Sequence, residues 1–151
     1  MAPKLPPLPV VVDTREQLPW DFDPTRCTIS YAALVAGDYS IAGYEHAVAI
    51  ERKSLDDYVQ TIIHARERYA RELERFRGYA LAAVVVEAAW QDVIDHNYAS
   101  RAHPAAVFGG TCCLYVDHGV PVHFLGSRAL AARFCERVLR RYWEHQLSPT
   151  G

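Results

Sequence analysis

The chain has 151 residues, of which 50% are hydrophobic and 23% charged, with 16 Lys and Arg against 18 Asp and Glu. This balance excludes a disordered tail or a fibre, and the length suits one domain with a substantial core. A net charge of -2 means that a nucleic-acid partner requires a local basic patch rather than bulk charge. No apolar run is long enough to span a bilayer, and the opening segment lacks the apolar region of a signal peptide. The four cysteines lack metal-site spacing, so we expect a cytoplasmic protein with reduced, packed thiols.

Strand signals dominate the first third of the chain. Residues 1–8 are a proline-rich extension, and a β-branched run at 10–12 predicts a buried strand. Two prolines keep residues 14–25 out of regular structure. Between residues 27 and 53, three short strand-like segments separated by glycine turns predict a meander.

From Ser54 onward the pattern becomes mainly helical. Ser54 followed by Asp57 is typical of a helix start, and apolar spacing predicts an amphipathic helix over residues 66–80. The elements expected after it are a covered strand at 82–87, a short helix at 90–97, a helix from Pro104, a turn at 118–120, a strand at 121–125 and a long helix from Ser127. The alternation predicts one three-layer α/β domain over residues 9–147, with a central mixed sheet flanked by helices.

A cluster of acidic and basic residues lies in the last strand of the predicted meander. Side chains two apart on a strand share a face, so Glu51 and Lys53 point to one side. Antiparallel pairing of this strand with residues 38–42 brings Asp38 beside Glu51, and Asp13 and Asp57 are candidates for further carboxylates. Hard oxygen ligands hold Mg²⁺ or Mn²⁺, and an ammonium group stabilises an attacking water and the charge on a phosphate.

The same cluster also fits ordinary ion pairs at an exposed strand end. A pattern of an acid followed later by Glu-x-Lys occurs by chance in chains of this length, so spacing alone leaves both interpretations open. Without a cation, neighbouring carboxylates repel one another and favour protonation. A divalent metal reverses that preference.

Three motifs in order, VVVDTREQ, GDYSI and AIERKSLDDYVQTI, resemble the nuclease domain of the XPF-type structure-specific endonucleases. The signature of that family is GDx(n)ERKxxxD, and it is matched at every position, by Gly37, Asp38, Glu51, Arg52, Lys53 and Asp57. The upstream V-x-D-x-R-E element is matched by Val11, Asp13, Arg15 and Glu16. The motifs cover residues 9 to 90, and the order of elements continues the resemblance to about residue 145.

The resemblance implies a restriction-endonuclease-like fold and metal-dependent hydrolysis of DNA phosphodiester bonds at flaps, forks or junctions, with roles in repair and recombination. It implies the metal ligands Asp13, Asp38 and Glu51, for Mg²⁺ or Mn²⁺. By the same resemblance, Lys53 is expected to position the water and stabilise the phosphate, and Asp57 to complete the catalytic set. Arg52 either contacts DNA or braces Asp57, while Arg15 and Glu16 line the rim of the cleft with individual roles left open.

A basic stripe supplies the candidate DNA surface. On a continuous helix, one face carries His64, Arg68, Arg71 and Arg75. The alternative is that Glu67 with Arg71 and Arg68 with Glu72 merely form stabilising pairs on an exposed helix. Together with Arg15, the stripe forms the predicted DNA-binding set.

The family pattern is incomplete in this chain. Members commonly form dimers and carry a tandem helix-hairpin-helix module, sometimes with a helicase domain upstream, and 151 residues leave room for neither. We therefore expect a stand-alone nuclease domain that forms a homodimer through its last helices and the 121–125 strand, with any recruiting protein unidentified. The alternatives are a non-catalytic nuclease-fold subunit that positions DNA or a partner, and an unrelated α/β domain with a small-molecule role.

Overall fold

The computed structural model describes residues 4–148, so the first three residues of the proline-rich extension and residues 149–151 lie outside it. The strands are β1 (Leu8–Asp13), β2 (Cys27–Ala32), β3 (Tyr39–Ile41), β4 (Val48–Lys53), β5 (Leu81–Val86) and β6 (Val122–Phe124). The helices are α1 (Leu55–His64), α2 (Arg66–Leu73), α3 (Trp90–Ile94), α4 (Pro104–His118) and α5 (Arg128–Leu147). No helix in residues 4–148 is both long and apolar enough to cross a membrane.

One six-stranded sheet, in the order β2-β1-β3-β4-β5-β6, organises the fold. β3 runs antiparallel to both β1 and β4, whereas the β1–β2, β4–β5 and β5–β6 pairs are parallel. The predicted meander over residues 27–53 is therefore wrong for its first strand, because β2 pairs with β1 at the sheet edge instead of with β3. Parallel pairing requires a long crossover, and the irregular residues 14–26 supply it.

Helices cover both faces of the sheet, which confirms the predicted three-layer α/β arrangement with a mixed sheet. On one face, α5 packs Ala131, Cys135 and Leu139 onto β1, β3, β4 and β5. On the other face, α1, α2, α3 and α4 pack over Ala49 of β4 and Val84 of β5. The apolar side of α5 is thus buried against the sheet of the same chain.

The helical segment after β4 is interrupted at Ala65, and the helix expected over residues 66–80 begins at Arg66 but ends already at Leu73. Ser54 caps α1 as expected, accepting a hydrogen bond from the Asp57 N–H. Ala65 then leaves helical geometry with φ -139°, and α2 starts a new helix after it. A short 3₁₀ turn follows α2, and Gly78 with φ 87° ends the segment.

Candidate active site and nucleic-acid surface

Three carboxylates are positioned by backbone contacts between β1, β4 and the turn that precedes β3. The Asp13 N–H donates to the Asp38 carbonyl at 2.8 Å, and the Asp38 N–H donates to the Ile50 carbonyl at 2.8 Å. Gly37 precedes Asp38 with φ 74°, and a Cβ there would lie 3.1 Å from both the Ala49 Cβ and the Ile50 carbonyl oxygen. Only glycine fits this crowded left-handed turn, so the signature glycine sets the direction of Asp38.

Asp38 and Glu51 are partly buried and line one cavity of about 270 Å³. Burial raises the pKa of Asp38 to about 7, with further increases from Glu51, Glu16 and Asp13. Burial likewise raises the pKa of Glu51 above its ordinary value. The expectation that these carboxylates favour protonation without a cation agrees with these shifts, although burial contributes more than mutual repulsion.

Glu51 and Lys53 project from β4 on the same side, as the strand alternation predicts. The hydroxyl of Tyr69 on α2 donates a hydrogen bond to Glu51 Oε2. The Lys53 ammonium lies 5.1 Å from the centroid of the Tyr69 ring and 3.5 Å from Thr61 Oγ1. Apolar spacing places Tyr69 on the buried face of the helix predicted over residues 66–80, but spacing cannot show that a buried ring also carries its hydroxyl to a carboxylate.

Asp13 is almost fully buried and its carboxylate is clamped. Arg15 donates through Nε to Oδ1 and through Nη2 to Oδ2, each at 2.8 Å, and the Leu34 N–H also donates to Oδ2 at 2.8 Å. The Arg15 side-chain hydrogen bonds hold the pKa of Asp13 at about 2, although its burial acts in the opposite direction. Arg15 itself is 72% exposed and lines the same cavity as Asp38 and Glu51.

The clamp has a direct consequence for the predicted metal site. Within residues 4–148, no three acidic, histidine or cysteine side chains are grouped so as to hold a metal ion. Asp38 and Glu51 share a cavity, while the oxygens of Asp13 already accept hydrogen bonds from Arg15 and Leu34. The structure therefore brings together two of the three predicted ligands as available carboxylates.

Arg52 points to the other side of β4 and is surrounded by acids. It lies 3.2 Å from Glu16 and 3.3 Å from Glu87, so these residues and not Asp57 are its ion-pair partners, and the other alternative, a contact with DNA, stays a prediction. Its backbone N–H donates to Asp38 Oδ2 at 2.8 Å. Glu87 was missed in the sequence, although it directly follows β5, and parallel strands end at the same edge of a sheet.

Glu87 is the centre of this ion-paired network. Besides Arg52, its Oε1 lies 3.3 Å from Arg128 of α5 and accepts a hydrogen bond from Trp20 Nε1 at 2.7 Å. Trp20 is buried and stacks on Tyr39 with ring centroids 4.5 Å apart, so it is a core residue. The network joins the loop after β1, the sheet and α5.

Asp57 lies exposed in the first turn of α1, at the mouth of a second cavity of about 620 Å³ that Lys53 and Asp38 also line. The signature residues thus converge on two adjoining cavities, with Asp38 and Arg15 bordering both. Of the cysteines, Cys27 and Cys135 are buried as expected, whereas the adjacent pair Cys112 and Cys113 is exposed on α4.

The predicted basic stripe is divided by the break at Ala65. His64, Arg68 and Arg71 line a third cavity, of about 820 Å³, between the α1–α2 junction and α4. Arg75 follows α2 and lines the carboxylate cavity instead. The same third cavity is lined by Arg66, which the continuous-helix assumption left out.

Of the two ion pairs that the alternative interpretation expects on this helix, the structure shows the pair of Arg68 and Glu72. Arg68 lies 3.9 Å from Glu72, one turn further along α2. Both side chains are more than half exposed, so the pair contributes little to stability and leaves Arg68 available to an anion.

Comparison with known proteins agrees with these features. The ERCC4 domain profile matches residues 12–138. A Methanocaldococcus jannaschii protein named an ATP-dependent RNA helicase, MJ1505, is 28% identical over 118 residues, which cover 78% of this chain and 14% of that protein. This chain therefore corresponds to a small part of MJ1505.

Solved structures show the same fold. XPF from Aeropyrum pernix in complex with DNA superposes with a TM-score of 0.70 at 19% identity, covering 91% of this chain and 66% of that one. A second structure of XPF from Aeropyrum pernix gives 0.68 at 18% identity, covering 89% and 61%. The restriction-endonuclease-like fold and the resemblance to the XPF nuclease domain are confirmed, and the chain belongs to the ERCC4 domain family.

Proposed function

We propose that the chain is a divalent-metal-dependent endonuclease that hydrolyses DNA phosphodiester bonds at flaps, forks or other junctions between duplex and single strand. The observation that carries the proposal is the pair of partly buried carboxylates, Asp38 and Glu51, beside the Lys53 ammonium. Burial holds the pKa of Asp38 at about 7, so its negative charge is poorly compensated by the protein itself. Such perturbed groups concentrate at functional sites.

The donor set fits Mg²⁺ or Mn²⁺. Asp38 and Glu51 offer hard carboxylate oxygens in one cavity, and a nearby dication favours the ionised form that burial disfavours. Asp13 joins them as a third ligand once Arg15 turns away from it. When bound, the metal polarises the phosphate and lowers the pKa of an attacking water.

The chain's own groups have separate tasks in this reaction. Lys53 holds the attacking water and stabilises the charge that develops on the phosphate oxygens. The Arg52 N–H fixes one oxygen of Asp38 at 2.8 Å, which maintains the direction of that carboxylate. Asp57, at the mouth of the adjoining cavity, lies beside the path of the DNA strand.

DNA approaches from the basic side of α2. His64, Arg68 and Arg71 bind backbone phosphates in the third cavity, and Arg75 and Arg15 guide the strand to the carboxylates. Because Lys and Arg contacts with phosphates release counterions, the affinity for DNA is expected to fall steeply with salt.

Two copies of the chain present two such surfaces, so we include in the proposal a cytoplasmic, DNA-associated homodimer, formed through the edge strand β6 and the outer side of α5. Light scattering at micromolar concentration tests the dimer, and a single 17.0 kDa species contradicts it.

The decisive experiment uses end-labelled duplex, single-strand, flap and fork DNA with Mg²⁺, Mn²⁺ or chelator. We expect cleavage near the branch point that needs the metal and is lost in Asp38→Asn and Lys53→Ala. Asp117→Asn, an exposed acid on α4, is the matched control and keeps full activity. Cleavage that persists in both site variants contradicts the assignment.

A second candidate is a non-catalytic DNA-binding subunit, which the clamp on Asp13 favours. In this alternative Arg15 occupies Asp13 permanently and leaves too few ligands for a catalytic metal. Calorimetric titration with Mn²⁺ distinguishes the two candidates. Saturable binding that Asp38→Asn abolishes supports the nuclease, and absence of binding together with retained DNA affinity supports the subunit.

A further inference from the structure

Tyr69 contacts both Glu51 and Lys53, although it lies outside the signature motifs. Its side chain is 1% exposed, and its hydroxyl donates to Glu51 Oε2. The Lys53 ammonium stands 5.1 Å from the centre of its ring, within the distance of a cation–π contact. One buried residue therefore links the acid and the ammonium group of the candidate site.

The contact to Glu51 differs from ordinary core packing. A buried phenol needs a hydrogen-bond partner, and any backbone carbonyl satisfies that need. Here the acceptor is the acidic side chain of the candidate site, and a hydrogen bond to its ionised form is about twice as strong as a neutral one. A carboxylate held through one oxygen keeps its other oxygen available as a ligand.

Lys53 depends on the same ring. Its hydrogen bond to Thr61 Oγ1 is long, at 3.5 Å, so it restricts the ammonium only weakly. A lysine side chain has large rotamer freedom, and the ring face reduces the volume that its end explores. Tyr69 reaches this place because α2 starts afresh after Ala65, whose carbonyl accepts the Tyr69 N–H at 2.8 Å.

We propose that Tyr69 is a positioning residue, which fixes the Glu51 carboxylate and the Lys53 ammonium toward the same phosphate. This inference rests on the nuclease function proposed above. Tyr69 does not touch the DNA or take a proton. Its effect is to reduce the number of arrangements of Glu51 and Lys53 that are unproductive.

The test compares Tyr69→Phe with Tyr58→Phe. Tyr58 is a matched control because it is also fully buried on the same side of the sheet, and its hydroxyl lies 2.6 Å from Thr111 Oγ1. Each variant loses one buried hydroxyl and keeps its ring. Kinetics on a branched DNA and Mn²⁺ calorimetry are measured for both, with melting temperatures recorded alongside.

We expect Tyr69→Phe to lower kcat by roughly tenfold or more with KM unchanged, and to weaken Mn²⁺ binding several-fold. Tyr58→Phe leaves both quantities at the wild-type level while losing similar stability. Equal behaviour of the two variants in kcat and in Mn²⁺ affinity overturns the inference and makes Tyr69 a core residue.

The design separates this inference from the proposed function. Cleavage by the wild type and its loss in Lys53→Ala support the function independently of Tyr69. A wild type that cleaves no substrate contradicts the function, and the Mn²⁺ measurements on the two tyrosine variants still test the positioning role. Metal affinity that is equal in Tyr69→Phe and Tyr58→Phe then contradicts it.

Discussion

The two sides of β4 carry charge in opposite ways. On one side, Arg52 is 13% exposed and lies between Glu16 and Glu87, so positive and negative groups neutralise one another. On the other side, burial raises the pKa of Glu51, and it also raises the pKa of Asp38, which borders the cavities on both sides. Residues adjacent in sequence thus belong to two different environments.

Arg52 and its acidic partners form a structural ion network, whereas Asp38 and Glu51 form a site whose charge a bound cation would compensate. A buried charge is stable when protein partners compensate it, as they do around Arg52. A carboxylate without such compensation costs folding free energy and is retained where a ligand completes it. Because side chains alternate along a strand, the structural residue Arg52 and the candidate catalytic residue Glu51 are adjacent in sequence but point to opposite sides.

The strongest test of this separation is catalysis. Lys53→Ala and Asp38→Asn are each expected to lower the cleavage rate by about a thousandfold or more, because each removes charge that meets the transition state. Rates from single-turnover assays with excess protein measure the effect. Circular dichroism checks that the fold is retained. A rate loss below tenfold in both variants contradicts the catalytic role of Lys53 and Asp38.

Asp38→Asn is also expected to stabilise the metal-free protein at high pH. The pKa of Asp38 is raised to about 7 in the folded chain against 3.8 when unfolded, so its ionisation opposes folding. That cost is absent below pH about 4, grows between pH about 4 and 7, and stays constant above at about 4 kcal/mol. Urea unfolding with chelator at several pH values measures the difference between variant and wild type.

The sign of that pH dependence is the critical result. The advantage of Asp38→Asn is expected to rise from acid to neutral pH and to shrink when Mn²⁺ is added to the wild type. A difference that is constant with pH shows that Asp38 is ionised at no cost. It would then belong with the compensated charges.

Arg52→Ala is expected to act on stability instead. The change leaves Glu16 and Glu87 partly buried without their shared cation and costs about 3 kcal/mol of unfolding free energy. Arg137→Ala, a charge on the outer side of α5, is the control. Urea unfolding at pH 7 measures both, and equal effects would show that the network contributes nothing.

Arg15→Ala is expected to have the smallest effect on metal binding and stability. Arg15 borders both cavities, so this variant tests the connection between them. Without the guanidinium, the pKa of Asp13 rises from about 2 toward its ordinary value, because its strongest hydrogen bonds are lost. Asp13 is then free to bind a cation, so Mn²⁺ binds more tightly by several-fold in the absence of DNA. Carboxyl titration by NMR and calorimetry follow the two changes, and weaker Mn²⁺ binding contradicts the clamp.

Local patterns predicted those parts of the site that a single strand pair determines. Only residues 42–47 join β3 to β4, and closely connected strands usually pair antiparallel, so the approach of Asp38 to Glu51 and the opposite direction of Arg52 were predictable. The place of β2 was not, because turn signals mark where a strand ends and do not specify its neighbour. Parallel pairs depend on long-range packing.

The remaining errors have related causes. The break at Ala65 carries no glycine or proline, so the periodic pattern continued through it and joined His64 to the frame of Arg68. The roles of Glu87 and Tyr69 depend on elements that meet only in the folded sheet, one through β5 and one through α2. Spacing along the chain cannot represent such contacts.

The turn at Gly37 determines which changes this architecture can absorb. An acid can be exchanged for its amide with the backbone intact, so cutting can be lost while the shape persists. A side chain at Gly37 instead places a Cβ 3.1 Å from β4 atoms on a left-handed backbone with φ 74°, so it strains the turn that directs the following carboxylate. A residue that carries no charge thus helps to set where the Asp38 carboxylate points.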